Sequence, residues 1–202
     1  MPVGYENDAP KPGRGIRRLT RFAQIRKLYR SRMKRDFAPC ELKPLSAMRR
    51  LWKRNAYDCY GLFDGEELLG YAFFVRVGKD RLLDYLAVAE GCRGRGCGSA
   101  FLNGLAGYLA DADCVACEVE DPDKAADGDE RTLRERRLRF YLRGGYLDTG
   151  RTVELFGVDY RILEASTASS PHTAEAAWEA YTGIYRSILP ERVFRRLFCS
   201  QS

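Results

Sequence analysis

The sequence contains a single histidine, His172, and lacks any long apolar run. With one histidine, a histidine-based catalytic triad or a zinc site with several histidine ligands is hard to build. No stretch approaches the roughly 18 apolar residues that span a bilayer. The start of the chain also lacks the apolar segment of a secretory signal. We therefore expect a cytoplasmic protein without a membrane partner.

The cysteines do not form a recognisable disulfide framework. The seven cysteines are scattered and odd in number, which favours a reduced protein over a disulfide scaffold. The only CxxC motif joins Cys114 and Cys117, and no second pair accompanies it. Because the surrounding segment DCVACEVE has the pattern of a buried strand, packing thiols are favoured over metal or redox chemistry. We expect no metal site, so the chemistry depends on carboxylates, tyrosine and backbone amides.

Charge is unevenly distributed along the chain. The net charge is +6, with Lys and Arg concentrated in residues 11–54 and Asp and Glu in residues 111–135. One interpretation is that these charges lie on solvated helix faces. The other is that the basic residues form a surface that attracts an anionic ligand or nucleic acid. The sequence leaves both interpretations open.

The apolar spacing predicts strands and helices within one domain. A length of 202 residues suits one buried core. Spacings of three and four residues predict a helix over residues 22–37, and the Asp64-Gly65 dipeptide predicts a tight hairpin. The predicted order is strand, two helices, three strands, helix, strand, helix, two strands and then C-terminal helices. The last two strands are placed at residues 146–149 and 153–163.

A glycine-rich turn separates a predicted strand from a predicted helix. Gly94, Gly96 and Gly98 leave backbone N–H groups free to converge on a phosphate at the helix N-terminus. The GK[ST] motif of nucleotide-triphosphate loops is missing. A dinucleotide fingerprint also fits poorly, because Ser99 takes the position of its third glycine.

Two motifs resemble those of the GNAT superfamily of N-acetyltransferases. The family signature [QR]xxGx[GA] is matched by the run from Arg93 to Gly98, and RFYLRGGY, residues 139–146, resembles the later tyrosine motif. The motifs are correctly ordered and separated by one strand, and the resemblance covers roughly residues 16–164.

The resemblance implies an α/β (α+β) fold, the GNAT acyl-CoA N-acyltransferase fold. Its mixed, mostly antiparallel central sheet has about seven strands flanked by helices, and here extra C-terminal helices follow. We expect a flexible arm at residues 1–15, the acetyltransferase domain at 16–165 and a helical extension at 166–202. In this family strands four and five separate, and the pantetheine arm of acetyl-CoA, the co-substrate, lies between them.

The resemblance also implies the cofactor-binding residues. The pyrophosphate would be held by the backbone amides of the glycine-rich turn: Arg93, Gly94, Arg95, Gly96, Cys97, Gly98 and Ser99. The pantetheine and thioester would face backbone at Leu86, Ala87 and Val88. Arg143 would reach a phosphate of CoA.

Four residues are candidates for proton transfer. Tyr141 matches the family tyrosine that protonates the departing thiolate, although a tyrosine that merely packs its helix explains the residue too. For the general base we rank Glu118 and Glu120 above Asp84. Each carboxylate has a structural alternative, an ion pair with an arginine of the helix near residues 131–143.

We therefore expect acetyl transfer from acetyl-CoA to a primary amine by direct attack in a ternary complex. The acceptor, a small molecule or a peptide, is unknown. Two alternatives are a non-catalytic acyl-CoA sensor and a nucleic-acid-binding protein, although we do not expect nucleic acid because aromatic residues are sparse among the basic ones. The C-terminal helices could cap the domain, form a homodimer interface or cover the acceptor site.

Overall fold

A computed structural model describes residues 14–39, 41–166 and 173–199. His172 and most of the predicted N-terminal arm lie outside these residues. The seven strands are β1 (Arg14–Arg18), β2 (Tyr57–Asp64), β3 (Glu67–Val77), β4 (Asp80–Val88), β5 (Cys114–Glu120), β6 (Leu147–Leu155) and β7 (Val158–Ser166). They form one sheet in the order β1-β2-β3-β4-β5-β7-β6. Only β4 and β5 are parallel; every other neighbouring pair is antiparallel.

In the described part of the chain, seven α-helices accompany the sheet. They are α1 (Phe22–Leu28), α2 (Lys34–Asp36), α3 (Leu45–Lys53), α4 (Cys97–Leu105), α5 (Gly128–Arg143), α6 (Ala174–Ile188) and α7 (Glu191–Phe198). A π-helical segment, Tyr29–Met33, joins α1 to α2. The helix predicted over residues 22–37 is therefore present, and its middle turn has the i→i+5 hydrogen bonds of a π-helix.

The predicted fold class and element order are confirmed, but one predicted strand is wrong. Residues 153–163 contain the end of β6, a turn and the start of β7. The turn falls at Phe156 and Gly157, which have φ values of 53° and 84°. Gly157 is a turn signal, but phenylalanine rarely takes a positive φ angle, so the sequence prediction continued one strand through this turn.

The sheet has an apolar core on each side. The first core packs α1, α3, α6 and α7 against one face, with Ile25, Met48 and Tyr181 fully buried. The second core packs α4 and α5 against the other face, with Phe101 and Leu105 fully buried. The C-terminal helices therefore share a core with the rest of the domain.

The ends of the sheet's first and last strands lie close to the predicted segment boundaries. Strand β1 begins at Arg14, inside the predicted arm of residues 1–15, and β7 extends to Ser166. Helices α6 and α7 fall within the predicted extension of residues 166–202. The division into arm, domain and extension stays a prediction.

Strands β4 and β5 separate after four residue pairs. Their pairing runs from Asp80 opposite Cys114 to Leu83 opposite Cys117 and then stops. On its other edge β4 contains a bulge, because Leu83 pairs with Phe74 and Tyr85 with Phe73, which leaves Asp84 without an opposite residue. A bulge bends its strand and increases the local twist. We call the resulting opening between residues 84–88 of β4 and 118–120 of β5 the fork.

Candidate functional site

The glycine-rich turn leads from β4 into the N-terminus of α4. Gly94 and Gly96 have φ values of 70° and 75°, a region that glycine occupies without steric cost. A Cβ atom added at either residue would meet no protein atom within 4 Å. No side chain caps α4 within the described chain, so the first N–H groups of the helix are left for an anion.

A third glycine, Gly98, has a packing role. A Cβ atom there would lie 3.3 Å from the ring of Phe140 on α5, closer than ordinary contact. Gly98 therefore lets α5 approach the turn. Cys97, beside it, is buried, and its sulfur accepts a hydrogen bond from Arg14 at 3.6 Å.

The predicted phosphate-binding residues are not all equally available. The amide of Arg93 already donates to the carbonyl of Glu90 at 3.1 Å, and the Arg93 side chain lies 3.9 Å from Asp36. The amides from Arg95 to Ser99 therefore form the better anion site. Arg143 is exposed at the end of α5, and its contact with a phosphate stays a prediction.

The edge of β4 that faces the fork contains the predicted pantetheine-binding backbone. On the opposite edge Leu86 pairs with Ala72, Ala87 with Tyr71 and Val88 with Gly70. Within the described residues, pairing to β5 has already ended at Leu83. Leu86, Ala87 and Val88 are half-buried, so this length of β4 is open to an extended ligand that pairs with it.

Tyr141 reaches the closed end of the fork from the second core. Its side chain packs against the core that contains Cys117, the last residue of β5 that pairs with β4. Its ring lies against Phe140 and Tyr146, with centroid distances of 5.0 Å and 5.6 Å. Burial, with the neighbouring Cys117, raises the pKa of Tyr141 well above its usual value, so the phenol keeps its proton at neutral pH.

Glu118, the next residue of β5, reaches the opposite face of the sheet. Its Oε1 accepts hydrogen bonds from the hydroxyls of Tyr181 at 2.7 Å and Tyr185 at 2.5 Å, both on α6. Burial raises the pKa of Glu118, whereas Tyr185, Lys43 and Tyr181 oppose that rise. Among the described residues, no cation lies within 4 Å of this carboxylate.

Asp84, the bulged residue of β4, lies in a separate polar cluster. Its side chain is 3% exposed and forms an ion pair with Lys43. The hydroxyl of Tyr57 also donates to it, at 2.6 Å. Both carboxylate oxygens are therefore engaged, which suits a structural role better than proton transfer.

Glu120 is held by arginines of α5. Arg137 forms an ion pair with Glu120 Oε2, and Arg134 lies 4.0 Å from Oε1. Arg134 also donates to the carbonyl of Asp121 at 2.8 Å. These arginines anchor α5 to the end of β5.

Sequence reasoning missed three residues beside the fork. Tyr181 and Tyr185 form part of the apolar face of α6, and Lys43 precedes Pro44 at the start of α3. A tyrosine pair four residues apart places two hydroxyls on one helix face, which is a usable signal, but nothing local indicates that they meet β5. The backbone amide of Lys43 also donates to the hydroxyl of Tyr85 at 2.7 Å.

The basic segment of the sequence covers the outer surface of α1–α3. Exposed cations there include Arg26, Lys27 and Arg30, which line a shallow groove with Ala23 and Ser31.

Cys114 and Cys117 are buried on opposite faces of β5, one in each core. Among the described residues, no group of three or more His, Cys, Asp and Glu side chains could hold a metal ion. The helices described are all too short or too polar to cross a membrane.

A mixed sheet whose two parallel strands separate beside a glycine-rich helix N-terminus defines an acyl-CoA N-acyltransferase. The sequence profile of the acetyltransferase (GNAT) family matches residues 22–142, well over half of the chain. The chain therefore belongs to this family. It is an acetyl-CoA-dependent N-acetyltransferase, with acetyl-CoA as co-substrate.

Solved structures show the same fold at low sequence identity. A structure from Bacteroides thetaiotaomicron described as a GNAT-family acetyltransferase is 20% identical, with a TM-score of 0.64 over 86% of this chain and 95% of that one. The ribosomal-protein-S18-alanine N-acetyltransferase of Escherichia coli is 15% identical, with a TM-score of 0.56 over 79% and 97%. An aminoglycoside 6'-N-acetyltransferase complexed with coenzyme A is 17% identical, with a TM-score of 0.55 over 78% and 99%. A comparison with curated protein sequences gives no match.

Proposed function

We propose that the chain transfers the acetyl group to a primary amine by direct attack, with Glu118 as general base and Tyr141 as general acid. One observation supports this proposal above all others. Cys117 and Glu118 are consecutive residues at the closed end of the fork, so their side chains lie on opposite faces of β5. A proton donor, Tyr141, which packs in the core of Cys117, and a proton acceptor, Glu118, therefore lie on opposite faces of the sheet at this end of the fork.

The residues present fit acetyl-CoA. The open space at Gly94 and Gly96 and the uncapped α4 N-terminus suit a pyrophosphate. The unpaired edge of β4 at Leu86–Val88 suits the amide-bearing pantetheine arm. When bound, acetyl-CoA supplies an activated thioester carbonyl. Backbone N–H groups on the unpaired edge of β4 would supply preformed donors for the negative charge that develops on its oxygen.

Protons then move in opposite directions on the two faces of the sheet. Glu118 accepts the proton lost by the attacking nitrogen as the new C–N bond forms and the C–S bond breaks. Tyr141 donates its phenolic proton to the leaving sulfur. A pKa raised by burial makes Glu118 a stronger proton acceptor than a carboxylate in water.

The other two carboxylates fit the base role less well. Asp84 has both oxygens engaged by Lys43 and Tyr57, and Glu120 is paired with Arg137. A carboxylate oxygen that is already engaged by a cation or a hydroxyl has to give up that contact before it can accept the proton of the amine. We therefore assign Asp84 and Glu120 to positioning the two strands of the fork.

Binding of acetyl-CoA tests the cofactor site directly. In calorimetric titrations, Gly96→Glu should abolish the saturable binding of the native protein, because its added bulk and charge oppose a pyrophosphate. Gly107→Glu adds the same charge at an exposed glycine beyond the end of α4, with open space around it, and should bind normally. Ser99→Glu, at an exposed position in the first turn of α4, separates the effect of charge from backbone strain at Gly96.

Transfer is then measured as thiol release with a panel of amines: spermidine, kanamycin, a peptide with an N-terminal alanine and a lysine peptide. We expect at least one to be acetylated, and Glu118→Gln to abolish that turnover while leaving acetyl-CoA binding intact. Tight binding without turnover on a broad panel would favour a non-catalytic acyl-CoA sensor. An absence of acetyl-CoA binding by the native protein would contradict the proposal.

A further inference from the structure

The carboxylate of Glu118 is held through one oxygen. The hydroxyls of Tyr181 and Tyr185 both donate to Oε1. Among the residues that the structure describes, no donor bonds to Oε2, and Oε2 is not one of the fully buried side-chain oxygens that lack a partner. Oε2 therefore keeps some exposure and is the oxygen of Glu118 that is left to accept a proton.

The two tyrosines are well fixed themselves. Tyr181 is fully buried and Tyr185 is 4% exposed. The centroids of their two rings are 5.1 Å apart. The ring of Phe198 on α7 packs against both, with centroid distances of 6.0 Å to Tyr181 and 5.3 Å to Tyr185. Trp178 stacks on Tyr181 at 5.6 Å. A packed aromatic cluster therefore limits the rotation of both hydroxyls, and they in turn limit the rotation of the Glu118 carboxylate.

We propose that Tyr181 and Tyr185 are positioning residues of the transfer reaction, which hold Oε1 of Glu118 so that Oε2 faces the acceptor amine. The inference rests on the proposed role of Glu118 as general base. It gives the C-terminal helices a part in the chemistry: α6 supplies the hydroxyls, and Phe198 of α7 supports them.

The groups that face Glu118 determine how its proton affinity responds to substitution. They are Tyr181 and Tyr185 from α6, Lys43 from the segment before α3, and Asp84 from β4. Both hydroxyl groups lower the pKa of Glu118, as Lys43 does, whereas burial and Asp84 raise it. Removing one hydroxyl removes a stabilising bond to the ionised form, so the pKa of Glu118 should rise.

The test uses Tyr181→Phe, Tyr185→Phe and the double variant in the full chain. Glu118 is titrated by NMR of ¹³C-labelled glutamate side chains in the protein without acetyl-CoA, and its signal is assigned by its loss in Glu118→Gln. We expect the midpoint to move up by about one pH unit for each hydroxyl removed, since bonds to a charged group contribute that much free energy. Tyr108→Phe, which loses a 2.8 Å bond to the carbonyl of Ile16 away from the fork, should leave the midpoint unchanged.

Activity adds a second readout, with the panel amine that is turned over fastest. The acid limb of the kcat/KM profile should move upward with the NMR midpoint, and kcat should fall while KM for acetyl-CoA stays constant. If the Glu118 titration midpoint and the acid limb of kcat/KM stay unchanged in the tyrosine variants while Glu118→Gln is inactive, only the positioning role is overturned. A fully active Glu118→Gln would overturn both the base and its positioning.

Discussion

Neighbouring side chains at the fork lie in different environments. Cys117 and Glu118 are adjacent in the chain, yet Cys117 packs in the second core with Tyr141 and Glu118 accepts hydrogen bonds from α6 in the first. Alternation along β5 therefore places the proposed acid and the proposed base on opposite faces of the sheet. Proton donation and proton acceptance therefore need not compete for one partner.

Substitution of Tyr141 by phenylalanine tests the acid role. Because the ring contacts with Phe140 and Tyr146 would be retained, we expect folding and acetyl-CoA affinity to be unchanged. Loss of the proton donor should lower kcat about 100-fold, the lower end of what a positioned acid contributes. Steady-state kinetics by thiol release measure the effect, and Tyr146→Phe, a neighbouring buried tyrosine, is the matched control. An unchanged kcat would leave Tyr141 a packing residue.

The pKa of Tyr141 adds a pH criterion to this prediction. Burial raises that pKa well above its usual value near 10. The native enzyme should therefore show no fall in kcat from ionisation of Tyr141 up to about pH 10. An alkaline limb below that pH which disappears in Tyr141→Phe would contradict the buried, protonated phenol described here.

At the element scale, α6 completes the first core of the domain. Its buried face comprises Ala177, Tyr181, Ile184 and Tyr185, and the helix contacts β3, β4 and β5 in the middle of the sheet and β6 at its edge. Three of these side chains are large and apolar or aromatic, and full burial of such a side chain contributes roughly 1.5–3 kcal/mol each. Loss of α6 would expose that face of the sheet together with its own.

A single truncation on α6 measures this contribution. Ile184 is fully buried, so Ile184→Ala should lower the free energy of unfolding by about 2–5 kcal/mol through lost burial and the cavity left behind. Ser187→Ala, on the exposed side of the same helix, should change it by less than about 0.5 kcal/mol. Urea denaturation of both variants provides the measurement. Equal stability of the two variants would show that α6 is only loosely attached.

The elements differ in how far the sequence could predict them. The turn at 93–99 and the helix containing Tyr141 follow from local glycine and aromatic spacing, and both were expected. The position of the β6–β7 hairpin was not, because its turn includes Phe156, a residue type that rarely adopts the positive φ angle found here. The bulge at Asp84 likewise depends on how β3 and β4 register, which short-range patterns do not encode.

The site was predictable to a similar extent. Glu118 was a candidate because a carboxylate on a strand beside the expected cleft stands out. Its partners Tyr181 and Tyr185 lie 63 and 67 residues further along the chain. In the sequence both read as apolar positions of an amphipathic helix, and only the packing of α6 on β5 turns them into hydrogen-bond donors.

The proposed role of Glu118 in the reaction has a cost in the stability of the whole chain. A carboxyl group whose pKa is higher in the folded than in the unfolded chain binds more protons when folded. The free energy of unfolding then falls as pH rises through the interval between the two values. Burial raises the folded pKa of Glu118, so above that interval the ionised side chain destabilises the fold.

Glu118→Gln should therefore be more stable than the native protein at pH 8 and equally stable well below the carboxyl pKa, near pH 3.5. The amide resembles the protonated carboxyl group, and its oxygen can still accept from Tyr181 and Tyr185, but it cannot ionise. Urea unfolding at the two pH values measures the difference, with Glu179→Gln on the exposed face of α6 as the control that should show none. A Glu118→Gln variant that is less stable at pH 8 would mean that the fold stabilises the ionised carboxylate. In that case Glu118 would be a structural anion that binds α6 to the sheet, and the base for the reaction would have to be sought elsewhere.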